Sequence, residues 1–329
     1  MTAIAPTLQA FFTDRLINQR HASPKTIAAY RDAWRLLVGF AAGRSGKQPC
    51  ALDFDDIDTA LVAAFLDHLE TDRGNSVRTR NARLAAVRSM FRFAALQHPE
   101  HAGTIARVLA MPPKRYDRKL VTYLSQTEVA ALVDAPDTTT WAGRRDQALL
   151  LVAAQTGLRI SELIGLTCAD VALGAGAHVA CHGKGRKDRV TPLTSITVKV
   201  LRAWLAERAG AATDPLFPTR TGGALSRDAV EHRIALHSAT ATAICPSLRH
   251  KHVSAHVLRH SAAMRLLEAG VDTTVIALWL GHEQVNTTAI YLHADLTIKE
   301  RALARITPTG VRPGRYRPPD SLLAFLEAL

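Results

Sequence analysis

Six residues between positions 159 and 291 carry side chains suited to one chemistry: Arg159 in TGLRISEL, Lys184 in GKGRKD, His256 and Arg259 in HVLRHS, His282 in LGHE, and Tyr291 in TTAIYLH. Two planar guanidinium groups can grip the non-bridging oxygens of a phosphodiester and stabilise charge on its pentavalent transition state. A tyrosine, with an ordinary pKa near about 10, attacks once it loses its proton, and His256 is suitably placed in sequence to act as the base. His282 can donate a hydrogen bond to the phosphate. A lysine on a hairpin can deliver the proton that a departing 5′-hydroxyl needs. Phosphodiester exchange by this set requires no metal.

Each residue also has a plain structural explanation. Arg159 follows a helix-ending Gly157 and can pair with Glu162, while Lys184 sits in a turn where basic residues are usually solvated. His256 and Arg259 share a helix face, where a histidine is more often structural. His282 can cap the carbonyls of the preceding helix, and Tyr291 can be a core aromatic with a satisfied hydroxyl. Cys245, His250, His252, His256 and His260 lie close in sequence, but their spacing fits neither H-E-x-x-H nor a Cys-pair zinc site. What the plain readings leave unexplained is the combination of two Arg, one Lys, two His and one Tyr in one basic region.

Residues 125–307 are expected to hold this set on a mainly helical frame with a small sheet. Ser125-x-x-Glu128 has the capping-box form and opens a helix; Arg145 to Gln155 makes the next, stopped at Gly157. The run AHVACHGKGRKDRVTPL changes period and predicts a β-hairpin with Lys184 in its turn. Helices are predicted over Thr197 to Arg208, Arg227 to His237, Ala255 to Ala269 and Thr273 to Leu280.

Residues 1–108 read as a separate helical domain. Ser23 and Pro24 form an N-cap and a first helical position ahead of Ile27, Tyr30, Trp34 and Leu37 at helical spacing. A second helix is predicted from near Asp56, with Leu61, Phe65 and Leu69 inward. A third runs from about Ser76 to Leu96, packing Leu84, Val87 and Phe91 while Arg83, Arg88 and Arg92 flank that stripe. Those arginines are either a solvated face or phosphate contacts that position the domain on a duplex. Residues 109–124 contain Pro112-Pro113 followed by Lys114, Arg115, Arg118 and Lys119, and predict a basic interdomain linker able to lie against DNA. Residues 308–329 form a Pro- and Arg-rich tail ending in SLLAFLEAL, a segment that can dock as a helix on its own domain or on a neighbouring protomer.

A length of 329 residues with 47% hydrophobic content suits two domains, each with its own core. The formal charge of +12 favours a polyanionic partner through counterion release, without specifying geometry. The four cysteines show no C-x-x-C pair, as expected of reduced thiols. With neither a long apolar run nor a secretory signal, a soluble cytoplasmic protein is expected.

TGLRISELIGL, GKGRKDRVTPL, HVLRHSAAMRLLEAGVDTTVIALWLGH and NTTAIYLHAD together resemble the tyrosine recombinases, the phage-integrase-like family that includes the Xer proteins. Order, residue types and intervals all agree, including the nine residues from His282 to Tyr291. The resemblance implies a two-domain DNA clamp, with a helical core-binding domain before the catalytic domain. It implies Tyr291 as nucleophile, Arg159 and Arg259 as phosphate clamps, Lys184 as general acid, His256 as general base, His282 as phosphate donor and Glu162 orienting Arg159. It further implies specific double-stranded DNA sites, a 3′-phosphotyrosine intermediate, a Holliday junction, and a tetramer of identical or related subunits, with no cofactor. A non-catalytic DNA-binding accessory protein and a type IB topoisomerase-like enzyme are the alternatives, and a zinc hydrolase is a more distant one.

Overall fold

The computed structural model describes residues 3–116, 121–182 and 188–281. Side-chain caps begin most of its longer helices. The hydroxyls of Ser23 and Ser76 and the carboxylate of Asp58 accept from backbone N–H groups three residues on, those of Thr26, Thr79 and Leu61. Each satisfies one of the donors that a helix start leaves unpaired.

The chain divides into two units, residues 1–118 and 119–329. In the first, α1 (Ile4–Ala10) runs on into a π-helical stretch, Phe11–Gln19. It is followed by α2 (Pro24–Ser45), α3 (Thr59–Thr71), α4 (Val77–Ala94) and α5 (Ala102–Ala110). The core gathers Phe11, Trp34, Phe54, Phe65 and Phe91, all essentially inaccessible to solvent. Phe91 stacks on Trp34 at 6.3 Å and meets Phe54 edge-on at 6.1 Å. The inner face of α3 is Val62, Phe65, Leu66 and Leu69, with Leu61 only half-buried; the helix begins at Thr59 because Asp58 caps it.

The second unit holds α6 (Gln126–Asp134), α7 (Trp141–Thr156) and α8 (Ile160–Ile164), then a small antiparallel sheet. The expected hairpin is β2 (His178–His182) with β3 (Asp188–Pro192), and a short strand, β1 (Val171–Ala172), pairs on the other side of β2. Then come α9 (Ser195–Arg208), α10 (Arg227–Ala241), α11 (Ala255–Glu268) and α12 (Thr273–Leu280). Asp146 on α7 is buried with Arg145 and joins Arg233 and His237 of α10, so the charge buried between these helices is compensated.

Both ends of the stretch expected as a linker are tied to their units. Leu109 and Met111 pack on the first core, and Asn81 on α4 brackets Lys114, accepting from its N–H at 3.0 Å and donating to its carbonyl at 2.8 Å. At the other end Leu124 is buried, and its N–H donates to the Ser261 hydroxyl of α11 at 2.8 Å. Arg118 and Lys119 lie outside the described residues. No helix among the described residues is long and apolar enough to cross a membrane.

Candidate active site

Two helix ends, from α7 and α12, converge where the candidate residues meet. Each helix stops at a glycine in the left-handed region, Gly157 at φ +63° and Gly281 at φ +64°, leaving its last carbonyls without intrahelical partners. At Gly157 a Cβ would stand 2.7 Å from Leu280 Cδ2 and 3.1 Å from the Cβ of Ala262, so only glycine lets the end of α7 approach α11 and α12 this closely.

Side chains from α11 and α12 satisfy the end of α7. Arg259 Nη1 donates to the Gly157 carbonyl at 2.7 Å, Trp279 Nε1 to that of Thr156 at 3.1 Å, and Arg265 to that of Ala154. Arg259 is 3% exposed, and its Nη2 donates to the Leu280 carbonyl at 2.7 Å. A buried guanidinium thus rests on the negative ends of two helix dipoles.

Arg159 precedes α8 and reaches the same place from the other side. Its Nη2 donates to the Gly281 carbonyl at 2.8 Å and its Nη1 to Glu162 Oε1 at 2.9 Å. Glu162, three residues on, turns back so that Oε2 accepts from the Arg159 backbone N–H at 2.8 Å, as a capping glutamate does. Arg159 and Arg259 therefore hold neighbouring carbonyls at the end of α12.

His256 lies one turn before Arg259 on α11 and is solvent-facing, with its ring 4.2 Å from that of His260. Crowding of its inner side lowers its pKa, Arg259 and Arg159 lower it further, and Glu231 opposes them. The imidazole is therefore neutral near pH 7 and able to accept a proton. Lys184, His282 and Tyr291 lie outside the described residues.

Sequence reasoning missed Arg189, which donates to both oxygens of Glu162, Nη2 to Oε2 at 2.6 Å and Nη1 to Oε1 at 3.1 Å. Burial pushes the Glu162 carboxyl up, but the hydrogen bonds and charge of Arg189 and Arg159 outweigh it and hold the pKa at about 2. Hydrophobic alternation in the strand would have turned Val190 inward and Arg189 outward; only the pairing register reveals the opposite. Arg189 pairs with Cys181 and Thr191 with Val179, both buried, whereas Val190 between them is 61% exposed. A charge on the inward face of a hairpin implies a partner.

The basic residues of the first unit differ among themselves. Arg83 and Arg88 on α4 are half-buried, whereas Arg92 is exposed and lines a cavity of about 340 Å³ with Arg15 and Arg20. Lys114 is paired with Glu70 at 2.6 Å, and Arg115 is exposed. Among the described residues no group of three or more His, Cys, Asp or Glu is placed to hold a metal ion, so the histidines around His256 form no zinc site there.

Residues 122–297 match the Phage integrase family, and residues 10–98 match the phage integrase N-terminal SAM-like domain. The chain is 52% identical over 327 residues to the putative integrase/recombinase y4rC of Sinorhizobium fredii, covering 99% of this chain and 98% of that protein. It is 35% identical over 289 residues to the tyrosine recombinase XerC of Pelobacter propionicus, covering 87% and 90% of the two chains. Its fold is similar to that of the XerH recombinase in a post-cleavage complex with a palindromic difH substrate, at a TM-score of 0.67 and 24% identity, covering 87% of this chain and 81% of that one. With two arginines converging at one helix end and family matches across both units, the chain belongs to the phage integrase family, the tyrosine recombinases that break and rejoin DNA.

Proposed function

We propose that Arg159 and Arg259 hold the scissile phosphate while Tyr291 attacks it. The observation that carries this reading is the meeting of the two guanidinium groups on the adjoining carbonyls of Leu280 and Gly281. A phosphate arriving there meets preorganised donors that need little rearrangement.

His256 takes the phenolic proton as the Tyr291 oxygen bonds to phosphorus. The bond from phosphorus to the 5′ oxygen breaks, and Lys184 protonates the departing oxygen. His282 donates to the phosphate throughout, and Glu162 orients Arg159. The product is a 3′-phosphotyrosine that conserves the energy of the phosphodiester, so a 5′-hydroxyl from another strand can reverse the step. Two pairs of such exchanges, separated by a Holliday junction, recombine two sites, with four subunits of this chain or of this chain and a related recombinase.

In this reading residues 1–108 are the core-binding domain, 109–124 the linker, 125–307 the catalytic domain and 308–329 a tail that docks on a neighbour. Arg83, Arg88, Arg92, Lys114, Arg115, Arg118 and Lys119 contact the phosphate backbone, Lys114 by giving up Glu70. The formal charge of +12 supports such contacts.

Incubation with a nicked duplex carrying the recombination site tests the reading, because the nick lets the 5′ end escape and traps the intermediate. A protein–DNA adduct that survives denaturant is expected. Failure at every site recovered from cells favours an accessory binder, and relaxation of supercoiled plasmids regardless of sequence favours a topoisomerase.

A further inference from the structure

We propose that Arg189 is a positioning residue for DNA cleavage: by binding both oxygens of Glu162 it leaves Arg159 correctly oriented yet with its positive charge available to the scissile phosphate. The inference rests on the reading of Arg159 as a phosphate clamp.

Charge balance supplies the first part of the argument. One carboxylate faces two guanidinium groups, so the Arg159–Glu162–Arg189 cluster carries a net positive charge, whereas Arg159 and Glu162 alone would form a neutral pair. A neutral pair attracts a phosphate weakly and would have to be pulled apart for the arginine to grip it.

Exposure separates the two arginines. The Glu162 side chain is 6% exposed and that of Arg189 11%, while that of Arg159 is 40% exposed. The buried arginine therefore neutralises the buried carboxylate, and the open one keeps a free face. The four contacts on Glu162 also lock its rotamer: Arg159 Nη1 and Arg189 Nη1 share Oε1, while Arg189 Nη2 and the Arg159 N–H share Oε2. Gly281 completes the fit, since a Cβ there would come within 2.6 Å of Arg189 Nη1.

Among the described residues, the titratable groups acting on Glu162 are Arg159 beside its own helix, Arg189 from β3 and the Cys181 thiol from β2. Burial pushes that thiol up to about 11, so it stays neutral while Glu162 is ionised. Removing Arg189 thus removes a principal force holding Glu162 ionised, and burial then drives its pKa upward. Protonated Glu162 would lose its grip on Arg159.

The test is the single-turnover rate of adduct formation by the full chain on a nicked duplex bearing a site recovered from trapped adducts. Arg189→Gln should be slower by about 10²-fold, the scale of loss when a reacting group is misplaced. Its acidic limb should move to higher pH and steepen, because Glu162 then titrates alongside His256. Arg189→Lys should recover most of the rate and restore the limb. In a Glu162→Gln background the Arg189→Gln loss should largely vanish, because both substitutions break one pathway. Losses that multiply, or an Arg189→Gln rate that falls with no change in the shape of the pH profile, overturn the inference and leave Arg189 a purely structural ion-pair partner. Arg159→Lys separates the two readings. If it cleaves like the wild type, the clamp reading itself fails; if it is crippled while Arg189→Gln keeps an unaltered pH profile, only the Arg189 inference fails.

Discussion

Arg159 and Arg259, a hundred residues apart in sequence, donate to the consecutive carbonyls of Gly281 and Leu280 at 2.8 and 2.7 Å. The C-terminus of α12 therefore serves as their common support. Its unpaired carbonyls and negative dipole end hold two like charges side by side that would otherwise repel. The same arrangement places His256 within the field of both.

Tyr291→Phe should bind DNA as the wild type does and form no adduct, because the ring remains while the attacking oxygen is gone. Gel shifts paired with denaturing gels on the nicked substrate check this. An adduct in the variant would exclude Tyr291 as nucleophile.

Lys184→Ala should cleave ordinary DNA poorly and recover on a substrate with sulfur at the bridging 5′ position. A thiolate leaves without needing a proton, so the general acid becomes dispensable. Absence of recovery on the sulfur substrate would assign the acid role elsewhere.

Gly157→Ala should destabilise the second unit by about 3 kcal/mol, adding a left-handed penalty to overpacking against Leu280 and Ala262. Denaturant unfolding measures the loss. Adduct yield should fall as well, since the Gly157 carbonyl holds Arg259.

Glu162 ties stability to pH. Its pKa falls from 4.5 to about 2 on folding, so its contribution is present above 4.5 and disappears as pH drops through about 2. For this buried carboxylate, the depression corresponds to about 3 kcal/mol. Glu162→Gln should be less stable than the wild type at pH 6, with the gap narrowing toward pH 3. Chemical denaturation across that range provides the check, and a constant gap would contradict the linkage.

As the proposed general base, His256 should set the acidic limb of cleavage. Crowding of its inner side, with Arg259 and Arg159, lowers its pKa below the ordinary 6.5, against the pull of Glu231. The neutral base persists above the lowered pKa, so the rate should hold as pH falls through 6.5 and decline only below it. His256→Gln should slow cleavage by about 10²-fold or more and lose that limb. A wild-type limb centred above 6.5 would point to a different base.

Local signals in the sequence translate directly into elements. Ser23, Ser76 and the Ser125–Glu128 box start helices, Gly157 and Gly281 end them, and the expected hairpin forms between His178 and Pro192. The reaction class was legible too, because it depends on which side chains are present and in what order. Val190 shows where pattern reading fails: hydrophobicity alone would turn it inward, yet the register exposes it and buries the face carrying Arg189 and Thr191.

The sequence by itself determined the family, its reaction class of DNA breakage and rejoining, and the helical frame, since each is written in residue type and short-range spacing. Only the tertiary structure decided that Arg159 and Arg259 share the end of α12, that Arg259 is buried while Arg159 stays open, and that Arg189 reaches Glu162. These are contacts between elements distant in the chain, where packing and the demand that buried charges and carbonyls find partners choose the neighbours.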